Sequence, residues 1–171
     1  SSDNPHTGLY RNTDGVFTPV ITPLPALANG AADWGDYDLD GDLDLLLSGA
    51  VYETPVTHLY RNDPAGLVDS GMSLPGVANG AALFADYDQD GYPDILLSGY
   101  SDDGFARTTL LHNDGGIFGV TSQELTPMTA SAAAWGDFDN DGDNDVQVGG
   151  NRSWIDLSGN ASGASDLTSW A

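Results

Sequence analysis

The chain of 171 residues contains no cysteine. Disulfide frameworks, thiolate metal sites and cysteine nucleophiles are therefore excluded. Basic residues are nearly absent as well, with 4 Lys and Arg against 26 Asp and Glu and a net charge of −22. A surface of that sign repels phosphate backbones and anionic lipid, so neither nucleic acid nor a membrane surface is an expected partner. No apolar run reaches the roughly 18 residues of a membrane span, so no membrane insertion is expected. The first residues, SSDNPHTG, show neither the charged start nor the apolar stretch of a secretion signal. A signal already removed and one that never existed would read alike.

What is abundant is turn chemistry, with 22 Gly and 9 Pro, and acid gathered into three places instead of spread along a disordered tail. DYDLDGDLD (36–44), DYDQDGYPD (86–94) and DFDNDGDND (137–145) are three versions of one nonapeptide. They belong to a longer repeat. LYRN (9–12), LYRN (59–62) and LLHN (110–113) each end 24 residues before the first aspartate of the next cluster, and the period is 50, then 51, residues. An aromatic, Trp34, Phe84 or Trp135, stands two places before each cluster, and LLLSG, ILLSG or VQVGG follows it.

Glycine, asparagine, aspartate or proline interrupts nearly every ten-residue window, which disfavours long helices and leaves short strands, about four per repeat. In LDLLL and DILLS the apolar residues run consecutively, as expected of strands buried on both faces. A stack of small sheets supplies that environment, and a β-propeller blade fits the period. The expected fold is all-β: four-stranded antiparallel blades of propeller type, about three of them plus a C-terminal remnant, forming an incomplete ring or open array in one chain. We read 1–171 as a single domain with repeats near 8–57, 58–107 and 108–151, and 152–171 as a remnant strand or tail holding Trp154 and Trp170. Asn151 and Asn160 open glycosylation-type triplets that are short enough to arise by chance.

Aspartates at positions 1, 3, 5 and 9, with glycine at 6 for the sharp turn, aim hard oxygen ligands at one point. These are Asp36, Asp38, Asp40 and Asp44; Asp86, Asp88, Asp90 and Asp94; and Asp137, Asp139, Asp141 and Asp145. Position 7 changes from Asp42 to Tyr92 to Asp143, so a main-chain carbonyl is the expected ligand there. Carboxylates this crowded repel one another without a cation, and all-oxygen ligation favours Ca²⁺ over Zn²⁺ or Mg²⁺. Three ions per chain are expected. An EF-hand is excluded by Leu47, Leu97 and Val148 at position 12, where a bidentate glutamate would be needed.

Loop, strand, WGD lead-in and LYRN together resemble the FG-GAP/VCBS repeats, a calcium-binding propeller family also found in the integrin α-subunit head. The resemblance covers residues 8–150. It implies four-stranded blades with calcium in a hairpin loop, in extracellular or cell-surface proteins that bind ligands, adhere or support a catalytic domain. It does not imply one activity.

No catalytic constellation is evident. His6, His58 and His112 lack a nucleophile motif nearby, and His112 replaces Arg11 and Arg61 of the other repeats, as a structural strand residue would. Glu53 and Glu124 are the only glutamates, and most aspartates are committed to the loops. A noncatalytic, calcium-stabilised module of an exported protein, acting in adhesion, surface structure or assembly, is the expected function. A filament subunit joined by strand pairing between chains is one alternative, and a carbohydrate-binding or carbohydrate-processing module is another. Three blades do not close a ring, so self-association by ring completion or fibre growth is expected, with a protein or glycan as further ligand. Gln147, in the place of Leu46 and Leu96, and Asn144 mark the third repeat as one that ends the stack or meets a different neighbour.

Overall fold

The computed structural model describes residues 5–151, 154–155 and 161–162. No helix occurs among them. A hairpin of β1 (Leu9–Thr13) and β2 (Val16–Val20) comes first. A four-stranded antiparallel sheet follows, made of β3 (Ala28–Gly35), β4 (Asp44–Val51), β5 (Thr54–Asp63) and β6 (Gly66–Asp69). β7 (Val77–Ala85), β8 (Asp94–Ser101), β9 (Ala106–Asn113) and β10 (Phe118–Val120) repeat that arrangement. β11 (Thr129–Gly136) and β12 (Asp145–Asn151) form a two-stranded sheet, and β13 (Trp154–Ile155) pairs with β14 (Ala161–Ser162). The fold is an all-β, open array of blade-like sheets, as the repeat pattern predicts. Apart from β13 and β14, the remnant at 152–171, including Trp170, lies outside the described residues.

A period has no phase of its own, and the structure supplies it. Each complete sheet takes its first two strands from the end of one sequence repeat and its last two from the start of the next, so LYRN joins the sheet of the acidic loop before it. The consecutive apolar residues explain how the sheets stack. Leu46 and Leu96 are both fully buried. Leu46 on the first sheet and Ala31 beside it pack into a core with Val77, Ala82, Ile95 and Leu97 of the second, while Leu45 and Leu47 face the other way onto Leu27 and Tyr60. Burying a leucine on this scale contributes about 1.5–3 kcal/mol. β7 therefore lies against β3 and β4, and β11 in turn lies against β7 and β8.

One close contact sets how the sheets stack. A Cβ on Gly35 would come within 2.7 Å of the Phe84 ring, so the absence of a side chain there lets the aromatic of the next sheet sit on the previous one. Each sheet's first strand also carries a bulge, between Ala28 and Ala31, Ala78 and Ala81, and Thr129 and Ala132. Asn29 and Asn79 take the left-handed conformation at the first two bulges, and Ala130 does so at the third. Asparagine adopts that conformation at lower cost than alanine, so the third bulge is the most strained of the three. Gln147 is exposed where Leu46 and Leu96 are buried, as a terminal or differently partnered unit requires.

Candidate metal centres

Each acidic loop bridges the first two strands of a sheet, between β3 and β4, β7 and β8, and β11 and β12. The three copies share a backbone. Position 4 is left-handed in all of them, with φ of 59° at Leu39, 62° at Gln89 and 62° at Asn140, and the position-6 glycines Gly41, Gly91 and Gly142 lie between 95° and 99°. That path turns backbone N–H groups inward onto carboxylates. The N–H of each position-6 glycine donates to the first aspartate, at 3.1 Å to Asp36, 2.9 Å to Asp86 and 3.2 Å to Asp137. The position-7 N–H donates to the fifth, at 3.0 Å to Asp40, 2.8 Å to Asp90 and 3.2 Å to Asp141. The position-2 N–H of Tyr37, Tyr87 or Phe138 donates to the ninth, Asp44, Asp94 or Asp145.

The carboxylates converge as well. Oxygen atoms of Asp36, Asp38 and Asp40 lie within 4.8 Å of one another, as do those of Asp86, Asp88 and Asp94 and those of Asp137, Asp139 and Asp145. Asp90 joins a further group with Asp88 and His112. Asp42 and Asp143 fall outside these groups. Asp44 is held by two backbone donors instead, Tyr37 N–H at 3.2 Å and Asn62 N–H at 2.9 Å. Asp141 receives the Asp143 N–H.

Burial pushes the carboxyls of Asp44 and Asp94 above the ordinary aspartate range, and the backbone N–H groups on them pull partly back. In the third loop a hydrogen bond to the Asp141 carboxylate, then that residue's charge, pushes the Asp143 carboxyl up. The first effect is the cost of taking a carboxylate out of water, and the second is that of holding two carboxyls side by side; a counter-ion would relieve both. The first loop adds a sharper sign: Asp36 Oδ1 is buried and has no hydrogen-bond partner among the described residues. A buried unpaired carboxylate oxygen costs several kcal/mol in isolation, about 1–3 or more for the missing bond alone. A cation among Asp36, Asp38 and Asp40 removes that cost, so the donor set fits a hard divalent ion.

Sequence reasoning missed the residues that lock the loops to their sheets. Asn62 N–H and Asn113 N–H donate to Asp44 and Asp94 at 2.9 and 2.8 Å. Their side-chain amides donate to the carbonyls of Leu43 and Pro93, and Asn113 also reaches the Tyr37 carbonyl in the previous loop, at 2.8 Å. The repeated Asn in LYRN was the available signal; its partner lies 18 or 19 residues before it. His112 is closer to the acids than its strand position implied, with Nδ1 3.2 Å from both Asp88 and Asp94. Arg61 pairs with Asp63 at 2.8 Å.

Residues 86–148 match the family model described as an FG-GAP-like repeat, a span that takes in the second and third acidic loops. This segment is similar to an FG-GAP-like repeat. The matched span runs from the first aspartate of one loop, through β8 to β10, into the strand after the next loop. The first loop, outside that span, shares its glycine and position-4 conformations and its hydrogen bonds. No curated protein and no solved structure matches the chain.

Proposed function

We propose that the chain is a noncatalytic calcium-binding repeat module of an exported protein, in which a Ca²⁺ ion at each of the three loops fastens the first two strands of a blade. The observation that carries this reading is the buried, unpartnered Oδ1 of Asp36 beside Asp38 and Asp40; the other two loops share the same backbone turn and each gathers three carboxylates, Asp86, Asp88 and Asp94 and Asp137, Asp139 and Asp145. Asp36, Asp38 and Asp40, with their counterparts Asp86, Asp88 and Asp90 and Asp137, Asp139 and Asp141, are the candidate side-chain ligands. Asp44, Asp94 and Asp145 close the loops, and residues 42, 92 and 143 would contribute main-chain carbonyls.

Extracellular calcium modules bind at about 10⁻⁴–10⁻³ M, an affinity that serves outside cells, where adhesion, surface structure or ligand display would be the task. The FG-GAP-like match supports a propeller-type repeat module and is compatible with that setting. Calcium that binds only the folded chain stabilises it by about 1.4 kcal/mol per site at tenfold the dissociation constant. Thermal unfolding with excess calcium and with chelator tests the proposal. A higher midpoint with calcium and three ions per chain by titration are expected, and an unchanged midpoint would overturn it.

A further inference from the structure

Among the described residues, β1–β2 and β11–β12 each hold half of a complete sheet, and the halves are of complementary kind. β11–β12 corresponds to β3–β4 and β7–β8, the pair that frames an acidic loop, and among the described residues β12 pairs with no other strand. β1–β2 corresponds to β5–β6 and β9–β10, the pair that completes a sheet, and among the described residues β1 pairs only with β2. Two complete sheets stand between these halves along the stack, and the halves are complementary, so each half of one copy fits the other half of a second copy.

Both halves hold the atoms for that joint ready. Asn12 Oδ1 accepts the Gly15 N–H at 2.9 Å, just as Asn113 Oδ1 accepts the Gly116 N–H at 2.7 Å, which leaves the Asn12 amide to donate outward. On the other half, Asp145 Oδ2 takes the Phe138 N–H at 2.7 Å, while its Oδ1 accepts nothing among the described residues. In the complete sheets that second oxygen receives the N–H of Asn62 or Asn113. Tyr10 is 54% exposed, whereas its counterparts Tyr60 and Leu111 are 3% and 2% exposed. A separate contact points the same way. Phe84 sits on Gly35 of the preceding sheet, its counterpart Trp34 is 42% exposed, and the space over Gly136, the counterpart of Gly35, is open. The tail after β12 is a poorer fit, because counting 18 or 19 residues on from Asp145 reaches Gly163 or Ala164 instead of asparagine.

We propose that the β1–β2 hairpin of one copy completes the β11–β12 sheet of another, with the Asn12 N–H donating to Asp145 as that of Asn62 does to Asp44, the Asn12 side-chain amide donating to the Asn144 carbonyl as that of Asn62 does to Leu43, and Trp34 seated over Gly136. The joint is made by strand edges and stands apart from the calcium reading. It also brings Arg11 to the third acidic loop, a favourable charge for a site with five aspartates. Gln147 places a polar side chain where Leu46 and Leu96 make the joints inside the chain, so the joint between copies is the weaker one. Such a head-to-tail contact gives rings or filaments according to whether its rotation closes. Two copies joined at both ends would hold six sheets, within the four to eight of closed propellers.

The register of the complete sheets, Leu46 opposite Leu59 and Leu96 opposite Leu110, places Leu9 opposite Gln147 of the other copy. Mixing separately made Leu9→Cys and Gln147→Cys chains under oxidation is expected to give a covalent pair, well above the yield from Leu9→Cys mixed with Glu53→Cys. Sedimentation of the unmodified chain is expected to show mass rising with concentration, and Asn12→Ala is expected to weaken that association about tenfold. A single-chain mass at every concentration, a cross-link no better than the control, or association untouched by Asn12→Ala would each overturn the proposal.

Discussion

The second and third acidic loops have the same nine-residue grammar and the same internal hydrogen bonds, yet Asp94 is fully buried and Asp145 is only half-buried. Asp94 receives N–H groups from Tyr87 and Asn113 and lies 3.2 Å from His112 Nδ1. Asp145 receives only the Phe138 N–H among the described residues. What separates them is β9, which closes over the second loop and has no counterpart paired to β12 among the described residues. The loop's shape is thus a local property of nine residues, while the environment of its closing aspartate comes from a strand far along the chain.

The widest gap between the two regions should appear in their cores. Leu96→Ala removes a fully buried side chain from the joint between sheets and should cost about 3 kcal/mol, within the range for such cavities. Gln147→Ala, at the equivalent exposed position, should change stability by less than about 0.5 kcal/mol. Urea unfolding midpoints of the two variants check the pair, and comparable losses would mean that β12 is buried as β8 is.

The closing aspartates give the next largest contrast. Asp94→Ala leaves the Tyr87 and Asn113 N–H groups unmet and should cost about 3 kcal/mol in chelator, where metal plays no part. Asp145→Ala strands one donor near solvent and should cost about 1 kcal/mol. Chelator is essential to the comparison, since bound calcium would add its own contribution to both losses. Denaturant titrations in chelator settle the ratio.

Asparagine at the end of LYRN offers a milder version. Asn113→Ala removes two amide donations and the acceptor for the Gly116 N–H, a loss of about 2 kcal/mol. Asn12→Ala, measured on dilute chain, removes only the bond to Gly15 and should cost about 0.5 kcal/mol. Unfolding midpoints at low protein concentration separate the two.

These contrasts show which parts of the molecule the sequence made legible. The loops, the all-β stack and the doubly buried strands could be read because each is written in contiguous residues with a local cause: aspartate spacing, a turn glycine, an unbroken apolar run. The phase of the sheets was not legible, because a 50-residue period looks the same wherever it is cut, and only strand pairing assigns LYRN to the loop before it. The Asn62–Asp44 and Asn113–Asp94 bonds were hidden for the same reason. His112 was read as a plain strand residue because in two of three repeats its place holds arginine; its approach to Asp88 and Asp94 depends on how β9 lies over the loop. Gln147 was the exception, a single polar residue in an apolar pattern that marked the change of neighbour.

The smallest effect belongs to the turns that link β4 to β5 and β8 to β9. Tyr52 and Glu53 make the first turn, both with positive φ, whereas the second is tied by Asp103, which accepts from the Ser101 hydroxyl and pairs with Arg107. The Ser101 hydrogen bond, then Arg107, holds the Asp103 carboxyl below the usual aspartate range. A carboxyl depressed in the folded chain contributes stability that is present above its unfolded pKa of about 4 and is lost as pH falls through the folded value. Asp103→Asn should therefore lower the melting temperature slightly at pH 7, and the gap from the unsubstituted chain should narrow as the solution is acidified below pH 4. The site is open to solvent and screened by salt, so the gap at neutral pH should also shrink at high ionic strength. A gap that persists in acid would assign the effect to the hydrogen-bonded shape of the turn instead of its charge, and the second hairpin would then differ from the first in geometry alone.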